Sequence, residues 1–464
     1  MSSLSFHGGT RTVTGSRFLV ETDAGARVLV DCGLFQGAKE LRERNWAPFP
    51  VAESSIDAVL LTHAHVDHCG WLPRLAHGGF RGPILCTEGT ARLVRIVLPD
   101  SGHLQEEEAA FANRRGYSRH EPALPLYTEQ QARRTLGQLE EVPFDEEVEI
   151  GPGLSATWRR AGHILGAATI ALRVAGRGGE RTVAFSGDLG RSTHPLLLPP
   201  APLGDADIVL CESTYGDRRH PEDDTEAMLT AVVASTADQG GVVVIPAFAV
   251  DRTEVVLWHL DRLTASGAIP ELPVFLDSPM ALRALDAYRE AAADGSPELR
   301  PELHGQELFS HLDLRETPTV EASKEINARR GPFIVVSASG MASGGRVLHH
   351  LAARIGSSRN TILLVGFQAR GTRGDRLAQG ATSIKLLGSY RRVRAKVVQL
   401  DLSAHADQDD LVAWLGTATS PPESVFVVHG EEEASWALAD RLDVEAGLLA
   451  VVPSVGERIS LDAF

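Results

Sequence analysis

The chain has 464 residues, 45 of them Lys or Arg and 61 Asp or Glu, for a formal charge of −16. With 43% hydrophobic and 23% charged residues it has globular composition, which excludes a disordered chain, a coiled coil and a collagen-like repeat. The length predicts two or three domain-sized units, and the acidic balance argues against a general charge-driven nucleic-acid binder while leaving room for a local basic groove.

In chain order, residues 2–7, 17–21 and 27–30 are predicted strands separated by Gly-containing turns. The apolar run 58–62 is a buried strand that stops at a histidine-rich turn. Helical spacing covers 87–116 and 128–140. Strands come next at 156–160, 168–174 and 182–186. From Ile208 onward short apolar strands alternate with helices: strands at 208–211, 242–246, 273–277, 333–339 and 361–365, helices at 225–237, 254–264 and 347–355. This alternation predicts βαβ units on a parallel sheet. Strands at 396–400 and 424–428 and helices at 407–415 and 432–446 complete the chain. Stretches 199–206 and 291–301, rich in Ala, Gly and Pro, are predicted loops or linkers.

No run of about 18 apolar residues predicts a membrane span. The N-terminus has no basic segment leading into an apolar run, so no secretory signal is expected. Cys32, Cys69, Cys86 and Cys211 form no CxxC pair and are too few for a disulfide scaffold. Reduced, buried thiols in a cytoplasmic protein are the expectation.

The strongest chemical signal is His63-Ala64-His65-Val66-Asp67-His68, directly after an apolar strand. Three imidazoles and a carboxylate within six residues repay their crowding only around a cation, and both groups are good zinc ligands. On a tight turn His63 and His65 can face one position while Asp67 and His68 face a second. That suits two metals a few ångströms apart. Further ligands are needed. His163 in Ala161-Gly162-His163-Ile164-Leu165-Gly166, Asp188 in Ser186-Gly187-Asp188-Leu189-Gly190 and His429 in Val428-His429-Gly430 each stand beside glycine at a strand end.

These motifs together resemble the metallo-β-lactamase superfamily: HxHxDH after a strand, a distal His, SGD, then a far His. Asp31, in Val30-Asp31-Cys32-Gly33, is similar to the aspartate of that superfamily's first motif. The resemblance implies an α/β fold, an αββα sandwich. It implies two Zn²⁺ per chain, one held by His63, His65 and His163 and the other by Asp67, His68 and His429. Asp188 would bridge them, and Asp31 would orient ligands from behind.

Between Asp188 and His429 lie 240 residues with a βαβ pattern of their own. With Glu212 in Cys211-Glu212-Ser213-Thr214-Tyr215-Gly216 and His405 in Ser403-Ala404-His405-Ala406-Asp407, this resembles the β-CASP subgroup, the nucleic-acid-processing branch, and most of all its bacterial cleavage-factor-like RNases. The resemblance implies residues 1–207 and 386–464 as the two parts of the metallo-β-lactamase domain and 208–385 as an inserted β-CASP domain of mainly parallel sheet. Ala249-Val250-Asp251-Arg252 departs from the family's Gly-Arg, since Asp251 stands where glycine is usual.

The resemblance further implies a cytoplasmic hydrolase of phosphodiester bonds in single-stranded RNA, acting by two-metal catalysis in RNA processing or decay, with a homodimer as a family expectation. The expected catalytic groups are Asp67 and Asp188 at the metals and His405, partnered by Glu212, as general acid to the leaving 3′ oxygen. Endonucleolytic and 5′-exonucleolytic action both fit. Ser339, Gly340 and Met341 in the glycine-rich turn 337–345, with Arg252, are candidate phosphate contacts; a phosphate cradle and a structural βα turn both suit that loop. Arg391, Arg392, Arg394 and Lys396 form the densest basic run. Phe367 and Tyr215 are candidate base-stacking residues. A small-ester or thioester hydrolase would share the zinc ligands but needs neither the insert nor the Glu212/His405 pair. A non-catalytic RNA-binding subunit would usually have lost ligands that are all present.

Overall fold

A computed structural model describes every residue except 117, 119, 177–178, 222–223, 367, 369–370 and 463–464. The chain forms two compact units, Met1–Arg219 with His405–Phe464, and His220–Ala404.

The first unit contains two seven-stranded sheets. One runs in the order Arg458–Ser460, Ser3–Gly8, Arg17–Glu21, Arg27–Val30, Ala58–Leu60, Ile84–Thr87, Leu139–Val142. The other runs Ala450–Val451, Ser424–Val428, Ile208–Glu212, Gly179–Phe185, Ala168–Gly176, Leu154–Arg160, Glu147–Gly151. Period-2 patterning explains why they meet face to face: Val28 and Val30 from one sheet and Ala168, Ile170, Leu172 and Val174 from the other share one buried cluster with Trp158, Phe6 and Phe185. Helix Glu88–Arg115 covers the first sheet at Ile84–Thr87, and helix Glu432–Ala446 covers the second at Ser424–Val428. The result is the expected αββα sandwich.

The second unit is built on a six-stranded, wholly parallel sheet in the order Asp313–Glu316, Pro273–Leu276, Phe333–Ser337, Val242–Pro246, Thr361–Val365, Lys396–Leu400. VVVIP, FIVVS and TILLV are buried at every position, as strands with both faces covered must be. Among the described residues no helix is long and apolar enough to cross a membrane.

The units divide at 219/220 and 404/405 rather than at 207/208 and 385/386. Strand Ile208–Glu212 pairs with Gly179–Phe185 and Ser424–Val428 and so belongs to the first unit; Lys396–Leu400 pairs with Thr361–Val365 and belongs to the second. The helix expected over 128–140 stops at Thr135, because Leu139–Val142 adds to the sheet edge beside Ile84–Thr87.

Asp251 takes φ +64° and ψ −54°, a backbone state easy for glycine and strained for aspartate. It is buried and its carboxylate accepts a 2.8 Å hydrogen bond from Tyr288 Oη. Glu254, one turn along the same helix, is fully buried, and among the described residues no side chain bonds its carboxyl oxygens. Burial, reinforced by the Asp251 charge, pushes the Glu254 carboxyl well above its ordinary value near 4.5. A raised folded-state value means that stability is highest below 4.5 and is lost as pH rises toward the folded-state value. Glu254→Gln is therefore expected to raise the melting temperature at pH 8 by about 2–4 °C, the shift one kcal/mol gives in a domain of this size. It should also flatten the decline between pH 5 and 8. Melting curves across that range check it; an unchanged slope contradicts it.

Candidate metal centre

Parallel pairing of Arg27–Val30 with Ala58–Leu60, and of Gly179–Phe185, Ile208–Glu212 and Ser424–Val428 with one another, brings strand C-termini to common edges. Asp31, His63, Asp188, Glu212 and His429 all lie within three residues of such an end. His163 comes from the turn between Leu154–Arg160 and Ala168–Gly176, closed by a hydrogen bond from Ala161 N to Ala167 O. Two glycines let these loops touch: a Cβ on Gly33 would lie 1.5 Å from Asp67 O, and one on Gly190 would lie 1.7 Å from Gly162 O.

His63, His65, His163 and Asp188 form one group of converging donors. His63 Nε2 is 3.2 Å from His65 Nδ1 and 3.4 Å from Asp188 Oδ2; His163 Nε2 is 3.2 Å from His65 Nδ1 and 3.6 Å from Asp188 Oδ2. A tetrahedron with metal–donor bonds of about 2.0–2.1 Å has edges of about 3.3–3.4 Å, so these separations fit one ion. Asp67, His68 and His429 form the second group. Asp188 Oδ1 lies 3.3 Å from His68 Nε2 and 3.5 Å from His429 Nε2, and His429 Nε2 lies 3.8 Å from Asp67 Oδ2. The two oxygens of Asp188 therefore face different groups. Among the described residues His68 Nε2 and Asp188 Oδ1 are buried and make no hydrogen bond, which is the condition of donors shaped for an ion.

Burial lowers the values of His63, His65 and His163, and brings His429 down to about 4, so these rings are neutral with lone pairs available. His68 is raised instead: burial opposes its charge, but the carboxylates of Asp188 and Asp31 overcome it. Asp188 is held well below its usual value against burial by His429, His68 and His63. Asp67 is raised by burial.

Supporting bonds fix the rings. Asp31 Oδ2 is 2.7 Å from His68 Nδ1, and its carboxylate also accepts from Thr62 N and Thr62 Oγ1 at 2.9 Å each. Thr62 Oγ1 is 3.0 Å from His63 Nδ1, and Ser16 Oγ is 2.9 Å from His429 Nδ1. Sequence reasoning missed Ser16 and gave Thr62 no role. Thr62 could have been found as the hydroxyl between a strand end and the first ligand; Ser16, 413 residues from His429, carries no such signal.

Glu212 is fully buried. Its Oε1 accepts from Leu189 N at 2.6 Å and lies 3.3 Å from His405 Nδ1. A β-bridge pairs His405 with Gly190, two residues beyond Asp188, and the His405 ring lies 4.5 Å from that of His163. Tyr215 is buried, its ring centre 6.2 Å from that of His405, so it is not an exposed stacking platform. Cys69 is also buried; its thiol is pushed up and donates to Ala64 O, a packing role.

Ser339, Gly340, Met341 and Arg252 lie in the second unit. Ser339 Oγ accepts from Ser343 N at 3.1 Å, and Gly374 N donates to Met341 O at 3.0 Å, so part of the turn's polarity is satisfied internally. The next helix begins at Val347, beyond the glycines. Arg252 is buried with its guanidinium beside Gly366. Phe367 falls outside the described residues.

Three family descriptions match the chain: a Beta-lactamase superfamily domain over residues 26–247, a Beta-Casp domain over 253–377, and a Zn-dependent metallo-hydrolase RNA specificity domain over 390–453. Among similar proteins, a ribonuclease of Thermus thermophilus is 38% identical over 98% of this chain and 97% of its own length. An RNase J-like protein of Methanocaldococcus jannaschii is 30% identical over 95% of each chain. The transcription termination factor FttA of Methanosarcina mazei is 30% identical over 97% of this chain and 70% of its own. With this coverage, and with the His/Asp groups assembled at the strand edges, the chain belongs to the Beta-Casp branch of the metallo-β-lactamase superfamily of metal-dependent hydrolases.

Proposed function

We propose that the protein is a zinc-dependent ribonuclease that hydrolyses phosphodiester bonds of single-stranded RNA with two ions per chain. The observation that carries this is the carboxylate of Asp188, whose two oxygens face two separate donor groups, with the Glu212–His405 pair alongside. Similarity to a protein named ribonuclease over nearly the whole chain supports the substrate class.

His63, His65 and His163 would hold one ion, Asp67, His68 and His429 the other, and Asp188 both. Neutral imidazoles and carboxylates form a donor set suited to zinc. When bound, the ions acidify water and offset charge growing on the phosphate oxygens. The chain's residues do the rest. Asp31 and Ser16 hold the rings of His68 and His429 at Nδ1, turning each Nε2 inward. Glu212, fixed by Leu189 N, holds His405 at Nδ1, and His405 delivers a proton from Nε2 to the departing 3′ oxygen. Ser339, Gly340, Met341 and Arg252 remain the second unit's candidate phosphate contacts.

The test is incubation of the purified protein with 5′-end-labelled single-stranded RNA, single-stranded DNA and a thioester, with and without chelator. RNA should be cleaved, chelator should abolish cleavage, and added zinc should restore it. Thioester turnover with intact RNA would establish the small-substrate hydrolase instead.

A further inference from the structure

Residues 371–400 contain seven Lys or Arg and one Asp, in a chain that totals 45 cationic and 61 acidic residues. Within the second unit this stretch forms the hairpin Ser383–Leu386 and Ser389–Arg392. Ile384 and Leu386 point into the unit's core cluster with Leu351, Ile355 and Leu377. The opposite face is therefore turned outward, and the register pairs Lys385 with Tyr390 and Ser383 with Arg392 on it. Tyr390 is 71% exposed. Lys385, Arg391, Arg392, Arg394 and Lys396 are exposed or half-buried, and among the described residues none of them pairs with a carboxylate. Helix Arg373–Ala378 adds Arg376, also outward-facing. Arg373 donates to Lys385 O and to Ala342 O and Ser343 O, which ties the hairpin to the glycine-rich turn.

We propose that this hairpin is a docking surface for single-stranded RNA, with Tyr390 stacking on a base and Lys385 and Arg392 taking the phosphates on either side. The proposal rests on the ribonuclease reading for its choice of ligand and adds a binding site outside the metal centre's residues. An exposed ring between unpaired cations matches the alternation of base and phosphate along a single strand. Leu387, exposed at the tip, is the hairpin's one outward aliphatic residue, too little apolar area to anchor in a lipid surface by itself.

The test measures binding of a hydrolysis-resistant phosphorothioate 20-mer of uridine to the intact protein by fluorescence anisotropy across a salt series. The same probe in deoxythymidine and phosphatidylserine vesicles run in parallel. Lys385→Ala combined with Arg392→Ala should weaken uridine 20-mer binding by about tenfold at low salt. It should also reduce the log–log salt slope by about 1.4, the effect of losing two phosphate contacts on a single strand. Tyr390→Ala should weaken binding at least about fivefold, and Tyr390→Phe should retain it. Cleavage of the dinucleotide UpU should stay at the wild-type level in every variant. Unchanged affinity and slope, or loss confined to the vesicles, overturns the proposal even if RNA is still cleaved. Hairpin-dependent binding by a wild-type protein that cleaves no RNA would sink the ribonuclease reading and leave the docking surface standing.

Discussion

Asp188→Asn is expected to reduce metal content from two ions per chain to one or none, and RNA turnover by about 10³-fold or more. The substitution keeps the side chain's shape but replaces one oxygen by an NH2 group, which cannot ligate. It also removes a negative charge held inside the protein beside His68, His63 and His429. Each oxygen of Asp188 faces a different donor group, so either amide orientation deprives one ion of a ligand. Loss of preorganised charge stabilisation alone costs about 10²–10³ in turnover, and loss of an ion adds to it. Asp31→Asn is the comparison. Asp31 touches His68 at Nδ1, the ring nitrogen opposite the Nε2 that faces Asp188, so its loss should weaken metal retention by only about 10–100-fold. Elemental analysis after gel filtration separates the two. Full metal stoichiometry in Asp188→Asn would refute the shared-carboxylate geometry.

The candidate metal centre was legible in the sequence where its donor residues are adjacent. His63, His65, Asp67 and His68 share one turn, and that crowding is itself the signal. His163, Asp188 and His429 could be picked out as ligand-type residues beside glycine at strand ends, but spacing alone does not say that such ends share an edge. Ile208–Glu212 and Ser424–Val428 are parallel neighbours with more than 200 residues between them, and only the resemblance anticipated their meeting. The same long crossover hid the unit boundaries: Ile208–Glu212 begins the βαβ rhythm of the sequence yet completes the first unit's sheet. The helix Pro279–Asp294 was hidden because its Ala-rich end runs straight into a Gly- and Pro-containing loop. The basic hairpin was hidden by its turn. Leu387-Gly388 has positive φ at both residues without the Asn-Gly signature, although the alternation of Ile384 and Leu386 was present.

His405→Ala should leave zinc content near wild type while cutting turnover by about 10²–10⁴-fold, the range for general acid–base catalysis. Two roles compete for this side chain. Asp188, Glu212 and His405 also lie close enough to count as a metal-binding group, and a ligand role predicts lost metal. The bonding argues for the acid. Glu212 Oε1 already accepts from Leu189 N at 2.6 Å while facing His405 Nδ1, and the β-bridge to Gly190 fixes the backbone beneath the ring. That arrangement sets the ring's direction. Glu212→Gln keeps an acceptor for Leu189 N but removes the charge, so it should lower turnover less than His405→Ala. A second substrate separates proton donation from positioning. When sulfur replaces the leaving 3′ oxygen, the departing thiolate needs no proton. The turnover deficit of His405→Ala should then shrink to nearly nothing if the ring acts as an acid, and persist in full if it only shapes the site.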